Sequence, residues 1–251
     1  MRKRGEQRHL FTDWRELARE YVIVVLGVLT ALIAQEWVQS IEWRDKVSAA
    51  VSDMDQELSN GDGPQAVVRL AMHQCLADRL QALRETINSG DRVAVRQQIA
   101  RISLPLRTYN SFAREAASSS DIAAHMPRHT MYEYRVVYSL MPELDDIHRK
   151  ELEDLAELRS LPASGPSLGQ EEKRAALAAV ESLMLDNDRM KRGSAFTLRH
   201  MRDLGVGISR TQLKLNLADV PVYRGCLTTD VRPMIELSPP TYPGRVTPTR
   251  S

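Results

Sequence analysis

The sequence has little to tie it together covalently and little to favour a sheet. Its 251 residues include only two cysteines, too few for a disulfide-dense mini-protein. No segment alternates apolar and polar residues between turns as a half-buried strand does. There is no surplus of one charge either: 34 Lys and Arg stand against 33 Asp and Glu. Twelve glycines without a fixed period exclude a collagen-like chain, and 43% apolar residues exclude a wholly disordered one. Only one long apolar run is present, which excludes a polytopic membrane protein.

The near-neutral total conceals an asymmetry. Arg2, Lys3, Arg4, Arg8, Arg15 and Arg19 all precede the apolar run, giving a lead-in of net charge +2 through Glu20. Residues 37–251 hold 28 cations and 28 anions, a balance that offers nucleic acid no electrostatic attraction.

The run itself, Tyr21 to Ala34, reads YVIVVLGVLTALIA and contains no charge. Fourteen residues of helix cover about 21 Å, against a hydrocarbon core of about 30 Å, so length alone would also suit a signal peptide or a buried helix. The flanks favour an anchor. Trp14 and Trp37 stand about 35 Å apart along a helix, close to the separation of the two interfacial belts. Leu17, Ala18 and Val38 lengthen the apolar stretch to residues 17–38, while Arg15 and Arg19 can snorkel to the surface. A signal-peptidase cut after Ala34 or Ala31 would place Leu32 or Leu29 where a small residue is needed, which argues against cleavage. Only Arg44 and Lys46 fall in the twenty residues after the run, so the positive-inside rule predicts residues 1–16 in the cytoplasm and the bulk outside, in a bacterium the periplasm. Gly27, Ala31 and Ala34 form a small-residue face on which two anchors would approach closely, giving a homo-oligomer.

Beyond the anchor the spacing predicts an all-α fold. The helix continues to about Leu58 and should stop at the turn cluster Asn60-Gly61-Asp62-Gly63-Pro64. Val68, Met72, Leu76, Leu80, Leu83 and Ile87 mark the next apolar stripe, and Ser89-Gly90-Asp91 ends it and caps a short helix. A short helix, a turn at Ser118 to Ser120 and a restart at Asp121 follow. Met131, Tyr134, Val137, Met141, Leu144 and Ile147, continued by Leu152, Leu155 and Leu158, form a stripe in which Pro142 either kinks one helix or begins another. A last long helix runs to about Leu204. A short piece reaches Leu217, and residues 218–251 read as a loosely structured tail, with six of the twelve prolines after residue 220.

Two segments resemble a family of bacterial single-pass inner-membrane proteins with no assigned activity. REYVIVVLGVLTALIAQEW is similar to its anchor through Gly27, Leu29, Ala31, Leu32 and Trp37. The second, TYNSFAREAASSSDIAAHMPRHTMYEYRVVYSLM, is similar through Tyr109, Ser118 to Ser120, Tyr134 and Tyr138, although the serine turn stands where relatives tend to carry glycine. The resemblance covers about residues 12–160 and implies a membrane anchor with a helical periplasmic domain.

Cys75 and Cys226 are 151 positions apart, and in an oxidising compartment they would most simply pair; the alternative is one buried and one exposed thiol. Candidates for chemistry are few. His125 and His129 have metal-pair spacing, but Pro127 between them interrupts the helix that would align them, and Asp145, Asp146 and His148 lie downstream. Ser118 to Ser120 lack a nucleophile elbow, and Gly205 and Gly207 lack the strand and third glycine of a phosphate loop. Tyr132, Tyr134, Tyr138 and Arg135 have helical spacing that suits a core better than a ligand stack.

The expectation is a non-enzymatic, membrane-anchored helical protein without cofactor or metal, whose partners are the bilayer and another envelope protein. The alternatives are a tethered hydrolase or metal-dependent enzyme using His125, His129, Asp145 and His148, and a soluble cytoplasmic helical protein that buries residues 21–34.

Overall fold

The computed structural model describes residues 9–105, 107–119, 121–218 and 225–227, with the side chains of residues 9–13 and of Arg15 left out. Arg2, Lys3, Arg4, Arg8, the Arg15 side chain, Ser120 and most of the proline-rich tail therefore lie outside the described residues. The protein is all-α. Among the described residues there is no strand, only an isolated bridge between Asp91 and Ser167. The chain divides into two compact units, residues 1–49 and 50–251.

The first unit consists of most of helix α1, His9–Glu57. The last turns of α1 belong to the second unit, where Ala50 and Met54 are buried. There the chain corrects the expected stop at residues 60–64. Leu58–Asp62 form a π-helical turn that leads directly into α2, Gly63–Ser89. Pro64 has no N–H for the Asn60 carbonyl and its ring would crowd that carbonyl in a continuous α-helix; at the start of α2 both problems are relieved by the wider turn. The freed Ser59 carbonyl accepts the Ser209 N–H at 3.0 Å instead. Gly63 is required here, because a Cβ would lie 2.7 Å from Met201 Cε and 2.9 Å from the Leu58 carbonyl oxygen.

Helix α2 ends at Gly90, which takes the left-handed conformation (φ 82°) and donates to Ile87 O and Thr86 O. Asp91 then caps α3, Arg92–Arg101, accepting the Ala94 N–H at 3.0 Å. Asp91→Ala should lower stability by about 1 kcal/mol in urea unfolding; an unchanged midpoint would mean that the cap contributes nothing. Short helices α4, Phe112–Ser118, and α5, Ile122–His125, lead to α6, Arg128–Ser139. Pro142 begins a helix rather than kinking one: α7 runs Met141–Arg159 with the proline in its first turn and Glu143 beside it. A loop held by Arg92, which donates to Pro162 O and Ser167 O at 2.8 Å each, leads to α8, Gln170–Leu204, and α9, Arg210–Ala218, completes the domain.

The core of this unit is built on the pairing of α2 with α8, with α7 and α6 against α8 and α3 against α2. Leu76, Leu80, Leu83 and Ile87 of α2, Val180, Leu183, Met190 and Met201 of α8, and Leu144, Leu155 and Leu158 of α7 are all buried. Each such buried aliphatic side chain contributes about 1.5–3 kcal/mol relative to exposure. Leu152, expected in the α7 stripe, is only half-buried; the position facing the core is Glu151, which is fully buried.

Candidate functional site

In the first unit α1 carries an uncharged, mostly apolar stretch at residues 21–34 that is exposed almost throughout. Ile23, Val24, Leu29, Leu32 and Ile33 cover every side of the helix and are between 49% and 67% exposed. Its most apolar 18-residue window has a mean hydropathy of 2.0 and buries none of its residues. A helix hydrophobic on every side suits a protein core or a lipid environment. Trp14 and Trp37 are each 69% exposed at the two ends, and Arg19 is exposed. A Cβ on Gly27 would meet nothing within 4 Å, and Ala31 and Ala34 are likewise exposed.

In the second unit Cys75 on α2 is joined to Cys226 as a disulfide with a Cα–Cα separation of 5.5 Å, within the usual range. Cys226 is buried, so residues 225–227 are fixed against the helical body.

A charged group lies at the centre of the helices. Arg69 on α2 and Glu151 on α7 have side chains only 1% and 0% exposed. They pair through both guanidinium nitrogens: Nη1 donates to Oε2 at 3.1 Å and Nη2 donates to Oε1. Arg69 Nη2 also donates to Asn187 Oδ1 on α8 at 3.1 Å, and Asn187 Nδ2 returns to the His73 carbonyl at 3.1 Å. His148 Nδ1 faces Glu151 Oε2 at 3.5 Å. Burial pushes the Glu151 carboxyl up, but the Arg69 charge and the hydrogen bonds from His148 and Arg69 together hold it below the usual carboxylate range. Beside this group Lys150 reaches the fully buried Asp186 at 2.9 Å and also contacts Ser182. The hydrogen bond to Asp186 raises the Lys150 pKa, so the amine stays an ammonium donor and is unsuited to act as a base on Ser182.

A second buried polar group surrounds the π turn. Asp62 is 1% exposed, and neither carboxylate oxygen receives a hydrogen bond from a described residue. Burial, then the neighbouring Glu57, push its pKa up to about 7, while the Asn110 N–H, outside strict hydrogen-bond geometry, pulls weakly the other way. Tyr138 donates to Met54 O at 3.3 Å, and Tyr134 donates to Asp55. Burial and then Glu57 raise the Tyr138 pKa.

The residues expected as a metal or hydrolytic set are not brought together. His148 is buried against Glu151, the His129 side chain is 87% exposed, Asp145 faces Arg149 at 4.0 Å with its side chain 44% exposed, and His125 is exposed. Among the described residues no three His, Cys, Asp or Glu side chains form a metal-binding group. Tyr134 and Tyr138 are core residues, and Tyr132 is exposed. A cleft of about 330 Å³ between α7 and α8, floored by Leu140, Leu144 and Gly193 and edged by Arg189 and Arg192, includes none of the histidines. Its arginines are paired with Asp186 and Asp188.

The polar centre was visible in the sequence as defects in the stripes. Arg69 lies three before Met72, Glu151 lies between Ile147 and Leu155, and Asn187 lies between Leu183 and Met190, each in phase with the apolar positions. Polar residues in the buried phase of three helices imply mutual pairing, because a lone buried charge is too costly.

Fold and site define an all-α protein that has, among the described residues, one helix of membrane-spanning length and composition and a disulfide-bonded helical domain. No protein-family model matches the chain, and no curated protein and no solved structure shows significant similarity to it.

Proposed function

We propose that this chain is a single-pass protein of a bacterial inner membrane that holds its helical domain in the periplasm and acts through protein–protein interaction. The observation that carries the reading is the exposed, wholly apolar surface of residues 21–34, bracketed by exposed Trp14 and Trp37. Two further features agree on the orientation. Six cations precede the span and two follow closely, which favours a cytoplasmic N-terminus. The Cys75–Cys226 disulfide suits an oxidising compartment for the domain. The resemblance of the anchor to single-pass inner-membrane proteins points the same way.

An interaction role accords with a polar centre that is sealed from solvent and engaged in pairing the helices. The partners are the bilayer, an envelope protein and, through Gly27, Ala31 and Ala34, a second copy of the chain. A reporter active only in the periplasm, fused after residue 60 or after Ser251, should be active in both positions. Silence in both fusions, with the protein expressed, would end the envelope reading.

A further inference from the structure

Glu57 and Asp62 are five residues apart, which in an α-helix would set them about 140° from each other around the axis. The π turn Leu58–Asp62, with its i→i+5 repeat, brings the two onto neighbouring positions. Glu57 Oε2 accepts the Ala113 N–H at 3.0 Å. Glu57 Oε1 and both oxygens of Asp62 are buried and receive no hydrogen bond from a described residue. Two adjacent carboxylates in this state cannot both remain ionised without a compensating charge.

Among the described residues the surrounding elements do not provide one. The end of α1 contributes Asp55 and Glu57, and α6 contributes Tyr134 and Tyr138. The loop before α4 contributes the Asn110 N–H, while Arg107 donates to Gln65 O at 2.7 Å. From α8 comes the uncharged Met201, and before α9 the Ser209 N–H serves Ser59 O. His200 on α8 faces Glu133 at 3.9 Å. Among the described residues no Lys, Arg or His forms an ion pair with Glu57 or Asp62. Two carboxylates are also far short of the six to eight oxygen ligands that calcium takes.

We propose that Asp62, buried beside Glu57, keeps its proton in the folded domain, and that loss of this proton loosens the π turn from the 107–113 segment as the solution becomes alkaline. The inference concerns residues 50–251 alone and is independent of the topology proposed above. The direction follows from Asp62 being raised from 3.8 to about 7. Between those values the folded chain holds a proton that the unfolded chain has released, so stability falls as pH rises through the interval and levels off above it. Such a pair makes the junction of α1 with α2 a pH-responsive element, firm in mild acid and loosened in mild alkali.

The test uses the full-length chain in detergent micelles, with chemical unfolding followed from pH 5.5 to 8.5. The wild-type unfolding equilibrium constant should rise about 30-fold across this range, and Asp62→Asn, which is neutral throughout, should remove most of the rise. Glu57→Gln, relieved of the second charge, should shift the dependence to lower pH. Carboxyl-carbon NMR of Asp62 gives an independent reading and should show a midpoint near neutrality. A midpoint below pH 5, or equal pH profiles for wild type and Asp62→Asn, would overturn the proposal. So would restoration of wild-type stability at pH 8 by millimolar calcium but not in Asp62→Asn, which would make the pair a cation site.

Discussion

Glu151→Ala should destabilise the helical domain by about 3–5 kcal/mol, a large share of the 5–15 kcal/mol typical of a folded domain. The loss exceeds that of an ordinary truncation because of what stays behind. The Arg69 side chain is 1% exposed, so without Glu151 its guanidinium keeps only Asn187 as a partner in a site closed to water. Arg69→Ala should cost about as much, since it leaves the Glu151 carboxylate buried with His148 as its remaining partner. Replacing both by apolar residues of similar size, Arg69→Met with Glu151→Leu, should recover much of the loss. Guanidinium unfolding of the three variants makes the comparison: additive losses in the double variant would mean that the two side chains act separately.

The same pair gives the domain an acid limit. Glu151 is held below its ordinary carboxylate range, so its contribution is present above about pH 4.5 and is lost as pH falls through the depressed value. Asp62 acts in the opposite direction, losing its contribution as pH rises toward about 7. Together these two groups alone place the maximum of stability at about pH 4.

Cutting the Cys75–Cys226 bridge should produce the second large effect. The bridge joins positions 151 residues apart, and the chain-entropy account assigns a loop of that length about 5 kcal/mol, with 2–4 kcal/mol more typical of measured cases. Cys75→Ser, Cys226→Ser and the reduced wild-type protein should therefore all melt at similar, lower temperatures than the oxidised form. Non-reducing electrophoresis should show the oxidised chain migrating faster than either variant. Equal melting with and without reductant would show that the bridge contributes nothing to stability.

Some of this architecture was legible because it is local. The Gly90 stop and the Asp91 cap depend on residues within one turn of each other, and so does the start of α7 at Pro142, once the chain is known to break there. The π turn was read as a stop because Asn, Gly, Asp, Gly and Pro in succession normally interrupt a helix. What kept this stretch helical was distant: the Ser209 N–H takes the freed Ser59 carbonyl, and Met201 fills the space beside Gly63. Likewise the stripe of α7 was assigned to Leu152 on hydrophobicity, whereas the core position belongs to Glu151, whose burial is tolerable only opposite Arg69.

By itself the sequence determined the helical periodicity, the single apolar stretch and the uneven charge around it, because each depends on neighbours a few residues apart. The two cysteines, being the only pair available, were also expected to join and do so. Only the tertiary structure decided which buried polar residue meets which: Arg69 and Glu151 are 82 positions apart, and Arg69 and Asn187 are 118 apart. The phase of each polar residue is legible along the chain but its distant partner is not, and such pairings become favourable only when packed helices exclude water and bring each charge to its partner.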